Sequence, residues 1–400
     1  MAKSNSVGLQ AVLLSVSTAV SQTLMALMYL VTARSLDPAE FGLVVTAIAV
    51  ANVLAGVSDF GANSLWVREI ARDAISRDRF SSLFGSKLLL CAAGGAFIAV
   101  VVVLFFDVPF LWAAVPVGLG VVFNQASLVG LRSQARGDLV AIFILAERFV
   151  ALLLFGLLAF VDEDMGAHLW FSLAAGSFAA GGLALFFTPQ KVRPQARLSL
   201  VNPWAGSRYF GLSSMSTSLQ SLDVPILSAV AGGGAAGLYG AVSRWTQPMG
   251  LLASAYSSAS APYIAKSKSI REAWSYMRRG AWLPTVAILA SIVVVIGAPV
   301  FVDLLIGSAY LGAAPVLRVL AAGTIFGVLN QPLAVLLQNS GHDRYVSRVS
   351  ITGVPVQLLS VVTLAFALGA VGAATAFALL QLWITLWLSI KLFVSLKSDQ

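Results

Sequence analysis

The chain has 400 residues, of which 58% are hydrophobic and only 10% are charged, and its mean hydropathy is +0.89. Soluble globular domains carry about 25% charged residues, so this composition excludes a soluble enzyme and indicates a membrane protein. The formal net charge of +8 is spread over the segments between apolar stretches, so we expect no nucleic acid among the partners.

Twelve long apolar segments follow one another along the chain and use up its length. A bilayer-spanning helix needs about 20 apolar residues. Backbone polar groups in lipid must be paired within the segment, so each segment is predicted to be a helix. The predicted spans are 9–33, 41–65, 82–106, 109–131, 139–160, 167–188, 205–230, 236–262, 280–302, 313–338, 344–368 and 371–393.

The basic residues are concentrated in every second segment between spans, so nearly all of them lie on one side of the membrane. Of the 25 Lys and Arg residues, 21 fall on one side, whereas the opposite loops carry a single one, Arg34. The positive-inside rule then predicts a multi-pass protein of the bacterial inner membrane with both termini in the cytoplasm. The basic loops include Arg68, Arg72, Arg77, Arg79, Lys87, Arg132, Arg136, Lys191, Arg193, Arg197, Arg208, Lys266, Lys268, Arg271, Arg278, Arg279, Arg344 and Arg348.

The chain repeats itself with an offset near 195 residues. Glu40-Phe41-Gly42-Leu43 aligns with Ala235-Ala236-Gly237-Leu238, and Ile70-Ala71-Arg72 aligns with Ile264-Ala265-Lys266. Six spans separate equivalent points, and six is even, so the halves cross the membrane in the same direction. We therefore predict a parallel repeat with a pseudo-two-fold axis along the membrane normal.

This repeat predicts an N-terminal six-helix lobe at 1–190, a cytoplasmic inter-lobe linker at 191–208 and a C-terminal six-helix lobe at 209–400. The basic loops 66–81 and 266–279 are predicted to form short surface helices. In the first of them, Trp66, Ile70 and Phe80 are expected to face the membrane.

Several short motifs resemble one known family. They are Leu36-Asp37-Pro38-Ala39-Glu40-Phe41-Gly42-Leu43 after span 1, Ser58-Asp59-Phe60-Gly61 followed by Arg68-Glu69-Ile70-Ala71-Arg72, and Gly237-Leu238-Tyr239-Gly240-Ala241 in span 8. Together they resemble the polysaccharide (O-antigen-type) flippases of the multidrug/oligosaccharidyl-lipid/polysaccharide exporter superfamily. The lipid II flippases of that superfamily have two further helices, which favours the polysaccharide branch.

The resemblance implies an all-α fold of two helical bundles around a central cavity that opens alternately inward and outward. It implies a lipid-linked oligosaccharide on undecaprenyl diphosphate as cargo. Membrane lipids are further partners, and polysaccharide polymerase and glycosyltransferases are possible ones. We expect a monomer that is not an enzyme.

Four arginines within or at the ends of predicted spans are singled out, because charges within a membrane default to functional roles. Because a guanidinium binds phosphate through paired hydrogen bonds, Arg244, Arg148, Arg34 and Arg318 are the candidate substrate-binding residues. The alternative is ion pairing between helices.

Three carboxylates are the candidate gate or ion-pair residues. Asp223 lies at a depth comparable to Arg244, and Glu147 is next to Arg148 but about 100° away around the helix. Asp59 is expected to cap a helix or to pair with an arginine such as Arg68.

The cysteine, histidine, proline and uncharged polar residues further limit the chemistry that the chain can perform. The chain has one cysteine, Cys91, and two histidines, so we expect neither a metal site nor a cofactor. Pro248 and Pro332 are expected to bend spans 8 and 10. Uncharged polar residues in the spans are expected to bind sugar hydroxyls or neighbouring helices: Asn52, Gln125, Gln220, Gln247, Asn330, Gln331 and Gln338.

Two other functions compete with lipid-linked oligosaccharide flipping. Cation-coupled drug efflux of the multidrug and toxin extrusion type shares the fold, but it normally needs a buried carboxylate in the first lobe, and span 1 has none. A glycan polymerase or ligase needs catalytic residues on a substantial outer loop, and the outer loops here are short.

Membrane topology is directly testable. We expect positions 77, 194 and 269 to face the cytoplasm and positions 107 and 163 to face outward, because 21 basic residues lie on one side and one on the other. Single cysteines introduced in a Cys91→Ala background are labelled with a membrane-impermeant thiol reagent in intact cells. Labelling at position 194 from outside would overturn the orientation.

Overall fold

The computed structural model describes residues 7–105, 111–195, 197, 199–207, 211, 215, 218–267 and 269–398. Lys3, Asp107, Arg208 and Lys268, which enter the charge analysis, lie outside these residues. Within the described ranges every regular element is helical, which confirms the all-α prediction. The α-helices are α1 (Val7–Ser35), α2 (Pro38–Asp59), α3 (Ala62–Ala71), α4 (Arg77–Phe105), α5 (Ala114–Ser127), α6 (Val129–Ser133), α7 (Gly137–Leu158), α8 (Met165–Phe187), α9 (Asp223–Ser243), α10 (Gln247–Lys266), α11 (Ile270–Arg279), α12 (Trp282–Leu305), α13 (Ala314–Leu337) and α14 (Asp343–Ser398).

In the described part of the chain, ten helical stretches are long and apolar enough to cross a membrane. Two of them are interrupted by a glycine with non-helical backbone angles, Gly232 (φ 84°, ψ 168°) in α9 and Gly369 (φ 56°, ψ −133°) in α14. These breaks fall at the predicted boundaries between spans 7 and 8 and between spans 11 and 12. The multi-pass architecture is confirmed, and the count of twelve spans stays a prediction.

Helix starts follow from local sequence. The Asp37 carboxylate accepts the backbone N–H groups of Ala39 (2.8 Å) and Glu40 (2.9 Å), with Pro38 as the first residue of α2. This is the expected helix start, because a capping side chain satisfies N–H groups that lack an intrahelical partner. Asp164 caps α8 in the same way, and Ser269 caps α11.

The chain divides into two compact units. The first comprises the described residues of Met1–Leu36 and Leu43–Pro225, and the second comprises Asp37–Gly42 and the described residues of Ile226–Gln400. In the first unit α7 packs on α1 and α8, and α8 packs on α5. In the second unit α13 packs on α10, α12 and α14.

The predicted linker lies against α4 and α2 in the first unit. Trp204 Nε1 donates to the Ser58 carbonyl oxygen (2.8 Å), and Arg77 Nε donates to the Arg193 carbonyl oxygen (2.8 Å). The Ser86 hydroxyl donates to the Ser199 carbonyl oxygen. The predicted linker thus belongs to the first unit, whose last residue is Pro225. The lobe limits 1–190 and 209–400 stay a prediction.

The basic segment 66–81, which contains the end of α3 and the start of α4, differs from its expected environment. Trp66, Ile70 and Phe80 were expected to face the membrane, but they are 2%, 6% and 1% exposed and form one buried cluster. The rings of Trp66 and Phe80 meet edge to face with centroids 5.8 Å apart. The expectation was wrong because an apolar helix face can be covered by protein as well as by lipid.

Two helix segments of the second unit touch backbone to backbone. A Cβ added to Gly42 would overlap the carbonyl oxygen of Gly233, and one added to Gly237 would overlap that of Pro38. The two overlaps are related by the 195-residue offset, since 38 corresponds to 233 and 42 to 237. Such reciprocal contacts are typical of a local two-fold axis, and small residues four apart permit this close crossing.

This crossing predicts a strong effect of one methyl group. We expect Gly237→Ala to destabilise the protein by about 1–3 kcal/mol, because the carbonyl of Pro38 must move. Thermal unfolding of the detergent-solubilised protein, followed by tryptophan fluorescence, measures the change.

Gly94→Ala in α4 is the matched control, because nothing lies within 4 Å of the Cβ it would add. Equal unfolding temperatures for the two variants would contradict the close crossing.

Candidate functional site

A polar cluster lies inside the first unit where α5, α7 and α8 meet. Glu147, with its side chain 12% exposed, accepts hydrogen bonds from Asn124 Nδ2 (2.9 Å) and the Ser177 hydroxyl (2.7 Å). A Cβ on Gly176 would overlap the Glu147 carbonyl oxygen, so α7 and α8 approach closely there. The carboxylate is thus held by side chains from two neighbouring helices.

Arg148 belongs to the same cluster. Its guanidinium lies 3.5 Å from Glu147 Oε1, and its side chain is 19% exposed. The two side chains are therefore paired although they leave α7 in directions about 100° apart. The separation is longer than the 2.7–2.9 Å that is typical of a tight charge-assisted hydrogen bond. One contact of this length leaves most of the five guanidinium N–H donors for another anion.

Arg244 begins an irregular turn between α9 and α10. Residues Arg244–Thr246 form a 3₁₀ turn, and the Gln247 N–H donates to the Arg244 carbonyl oxygen. Pro248 causes this irregularity, because a proline ring clashes with the carbonyl four residues earlier, which here belongs to Arg244. The α-helix is interrupted here and the half-buried Arg244 lies at the interruption, whereas the predicted bend in span 8 stays a prediction.

The remaining predicted arginines lie at helix ends. Arg34 is in the last turn of α1 and Arg318 is in the second turn of α13, and both are exposed. Asp223 begins α9, and its carboxylate accepts the Val224 N–H (2.7 Å). Asp223 belongs to the first unit and Arg244 to the second, so their pairing stays a prediction.

Asp59 ends α2 and pairs with a lysine. Asp59 Oδ1 lies 2.5 Å from the Lys87 ammonium, and it accepts the Asn63 N–H at 3.3 Å, so the predicted cap is present. Asp59 was predicted to cap a helix or to pair with an arginine such as Arg68. The cation that it pairs with is Lys87, whereas Arg68 forms a salt bridge with Glu69 (2.8 Å).

Lys87 is a buried charge of the first unit that the sequence did not identify. It was counted among the loop cations, but its side chain is 0% exposed in the third turn of α4. It donates to Asp59 and to Asn63 Oδ1 (3.0 Å), and its ammonium lies 5.1 Å from the Trp66 ring centroid. These partners offset the cost of burying a charge.

Asn124 and Ser177 were also missed, because uncharged small polar residues in apolar helices carry little sequence signal. Asn330, by contrast, was predicted either to bind sugar or to join helices, and the structure shows that it joins helices. It donates to Gln381 Oε1 (2.8 Å) and accepts from the Thr385 hydroxyl (2.7 Å), both on α14.

Comparisons with known proteins agree with this architecture. A family model described as polysaccharide biosynthesis protein matches residues 9–268. No curated protein sequence matches the chain significantly.

Three solved structures are similar in fold. The lipid II flippase MurJ in an inward closed conformation has TM-score 0.76 and 13% identity, over 95% of this chain and 87% of that one. An inward-facing multidrug resistance MATE transporter of the MOP superfamily has TM-score 0.70 and 15% identity, over 95% and 96%. A MOP superfamily transporter from Pyrococcus furiosus has TM-score 0.61 and 14% identity, over 96% and 95%. All three are transporters or flippases.

The buried lysine pair predicts a non-additive effect on stability. We expect Asp59→Ala to destabilise the protein by about 3–5 kcal/mol, because it leaves a buried ammonium without its counter-charge. The double variant Asp59→Ala/Lys87→Met should be less destabilised than Asp59→Ala alone. Thermal unfolding in detergent tests both statements.

The exposed pair Asp73–Lys191, 3.4 Å apart with side chains 81% and 78% exposed, is the control. Lys191→Ala should change stability by at most about 1 kcal/mol, because solvent screens the pair. A double variant at Asp59 and Lys87 that is less stable than Asp59→Ala would contradict the pairing argument.

Proposed function

The chain belongs to the polysaccharide biosynthesis protein family, and from that membership we propose that it flips a lipid-linked oligosaccharide across the bacterial inner membrane by alternating access. The proposed cargo is a polysaccharide repeat unit on undecaprenyl diphosphate. The proposed orientation places both termini in the cytoplasm. The fold shared with the lipid II flippase MurJ supports this proposal.

One observation carries the choice of an anionic cargo: Arg148 is incompletely neutralised within the apolar helices of the first unit. Glu147 divides its charge among Asn124, Ser177 and Arg148, and its contact with the guanidinium is 3.5 Å long. A lipid diphosphate is a concentrated anion that pairs well with the planar fork of arginine. Arg244, Arg34 and Arg318 are proposed as further contacts along the path of the diphosphate.

In this proposal Glu147 positions Arg148. Since Asn124 and Ser177 hold the carboxylate from α5 and α8, the guanidinium beside it has a defined place before any cargo arrives. Preorganised charges bind an anion without a further entropy cost for ordering the side chain.

The salt bridge between Asp59 and Lys87 connects α2 to α4. Asp223 is proposed as the ion-pair partner of Arg244.

Cation-coupled drug efflux is the second candidate, because a MATE transporter has the same fold and Glu147 is a buried carboxylate in the first unit. However, the oxygens of Glu147 are already occupied by Asn124, Ser177 and Arg148, which disfavours a role in binding a cationic drug.

Polymerase and glycosyltransferases are proposed as functional partners that extend or build the cargo, and the transporter itself is proposed to be a monomer.

The arginines give the decisive test. We expect Arg148→Ala and Arg244→Ala each to lower polysaccharide export by about ten- to a hundredfold, the loss expected for one charged hydrogen-bonding contact. The lysine variants Arg148→Lys and Arg244→Lys should retain part of the activity, because the charge remains and the paired geometry is lost. Export is measured by complementation of a flippase-deficient strain at matched membrane levels.

The control is Arg136→Ala, which removes a surface arginine paired with Asp138 at 2.9 Å and should leave export unchanged. The double variant Asp223→Ala/Arg244→Ala separates the two roles of Arg244. If Arg244 binds cargo, the double variant folds and stays inactive, whereas restored export would make Arg244 a structural partner of Asp223. Full export by Arg148→Ala would remove this residue from the cargo path, and resistance to cationic drugs conferred by the wild type would favour efflux.

A further inference from the structure

A cavity lies beneath the surface helix α11 in the second unit. It encloses about 260 Å³, and its walls are mainly apolar, with Trp274, Met277, Leu329, Pro332 and Leu333 among them. The Tyr256 hydroxyl donates to the Met277 carbonyl oxygen (2.5 Å), which holds α11 over α10. The cavity is larger than the apolar cavity of about 150 Å³ that holds a benzene molecule, so it has room for part of a hydrocarbon chain.

The helix above this cavity is strongly amphipathic. Ile270, Ala273 and Met277 are buried, whereas Arg271, Arg278 and Arg279 are exposed. Helices of this kind lie in the plane of the membrane interface, with their basic side chains at the level of the lipid headgroups. The Lys and Arg distribution predicts the cytoplasmic leaflet for this interface, and that leaflet carries the anionic lipids.

One arginine of α11 belongs to both features. Arg278 is exposed to solvent and at the same time lines the apolar cavity. Its guanidinium can therefore bind an anion at the cavity mouth while the apolar walls cover a chain attached to that anion. Arg271 is exposed on the same helix but does not line the cavity, and the guanidinium of Arg279 lies over the Tyr276 ring, 5.4 Å from its centroid.

We propose that this cavity is a binding site for an anionic phospholipid of the cytoplasmic leaflet. One acyl chain lies between α11, α12 and α13, and Arg278 binds the phosphate. The volume admits a segment of one chain, and the cationic mouth selects a charged headgroup over a zwitterionic one. We infer a bilayer phospholipid rather than the cargo lipid as its occupant, because the exposed arginines of α11 lie at the level of the headgroups, where anionic phospholipids are abundant.

Native mass spectrometry of the full chain in detergent tests this site with phosphatidylglycerol and phosphatidylcholine that carry the same acyl chains. We expect the wild type to retain phosphatidylglycerol preferentially. Arg278→Ala should lower that preference by about fivefold, the contribution of one arginine near an anionic surface. Arg271→Ala is the matched control and should leave the preference nearly unchanged.

Ala281→Phe fills the cavity while it keeps Arg278, so it should lose retained lipid of both classes. Equal retention of the two lipids by the wild type, or equal effects of Arg271→Ala and Arg278→Ala, would overturn the site. Displacement of phosphatidylglycerol by an equimolar amount of undecaprenyl diphosphate would also overturn the proposal and assign the cavity to the cargo lipid. None of these readouts depends on transport, so failure here leaves the proposed function intact.

Discussion

A charge among apolar helices must be paired, and this constraint orders the interior of the first unit. An unpaired ion there costs several kcal/mol, whereas apolar side chains alone allow neighbouring helices to slide past one another. Lys87 meets the constraint with Asp59, Asn63 and the face of Trp66, which joins α4 to α2 and α3. We infer that such pairs define which turn of one helix faces which turn of the next.

The second constraint is the close approach of backbones. Where Gly42 and Gly237 stand, the helix starts of the two sequence repeats touch without any side chain between them. Lipid gives apolar helices little reason to associate, so close van der Waals packing through small residues is the main attraction available. Both copies keep the glycine, and each glycine packs against a backbone carbonyl at the matching position of the other copy, that of Gly233 or of Pro38.

The sequence predicted those properties that depend on the bilayer or on local chain geometry. Span positions follow from hydropathy, and Pro248 accounts for the helix interruption at Arg244. The start of α2 at Pro38 lies three residues before the predicted start at 41. Partners across helices were not predictable. Lys87 is 28 residues from Asp59, and it was counted with the loop cations although the predicted span 82–106 includes it.

The α3 prediction failed for a related reason. Periodicity identifies an apolar face, but it does not tell whether protein or lipid covers that face, so Trp66 and Phe80 were assigned to the membrane. The interior polar residues failed differently. Asn124 and Ser177 are inconspicuous in sequence, and only their convergence on Glu147 gives them a role.

The same pairing constraint separates structural charges from functional ones. Lys87 is completely buried and held by short contacts, so moving an anion past it would first require breaking a pair that stabilises the unit. Arg148 is partly exposed and held by one longer contact to a carboxylate that two other side chains already satisfy. The phosphate of the proposed cargo could therefore bind Arg148 without leaving Glu147 unsatisfied. The proposed transport of an anion requires a cation of this second kind, because a site that binds must also release, and the incomplete pairing of Arg148 fits both requirements of the proposal.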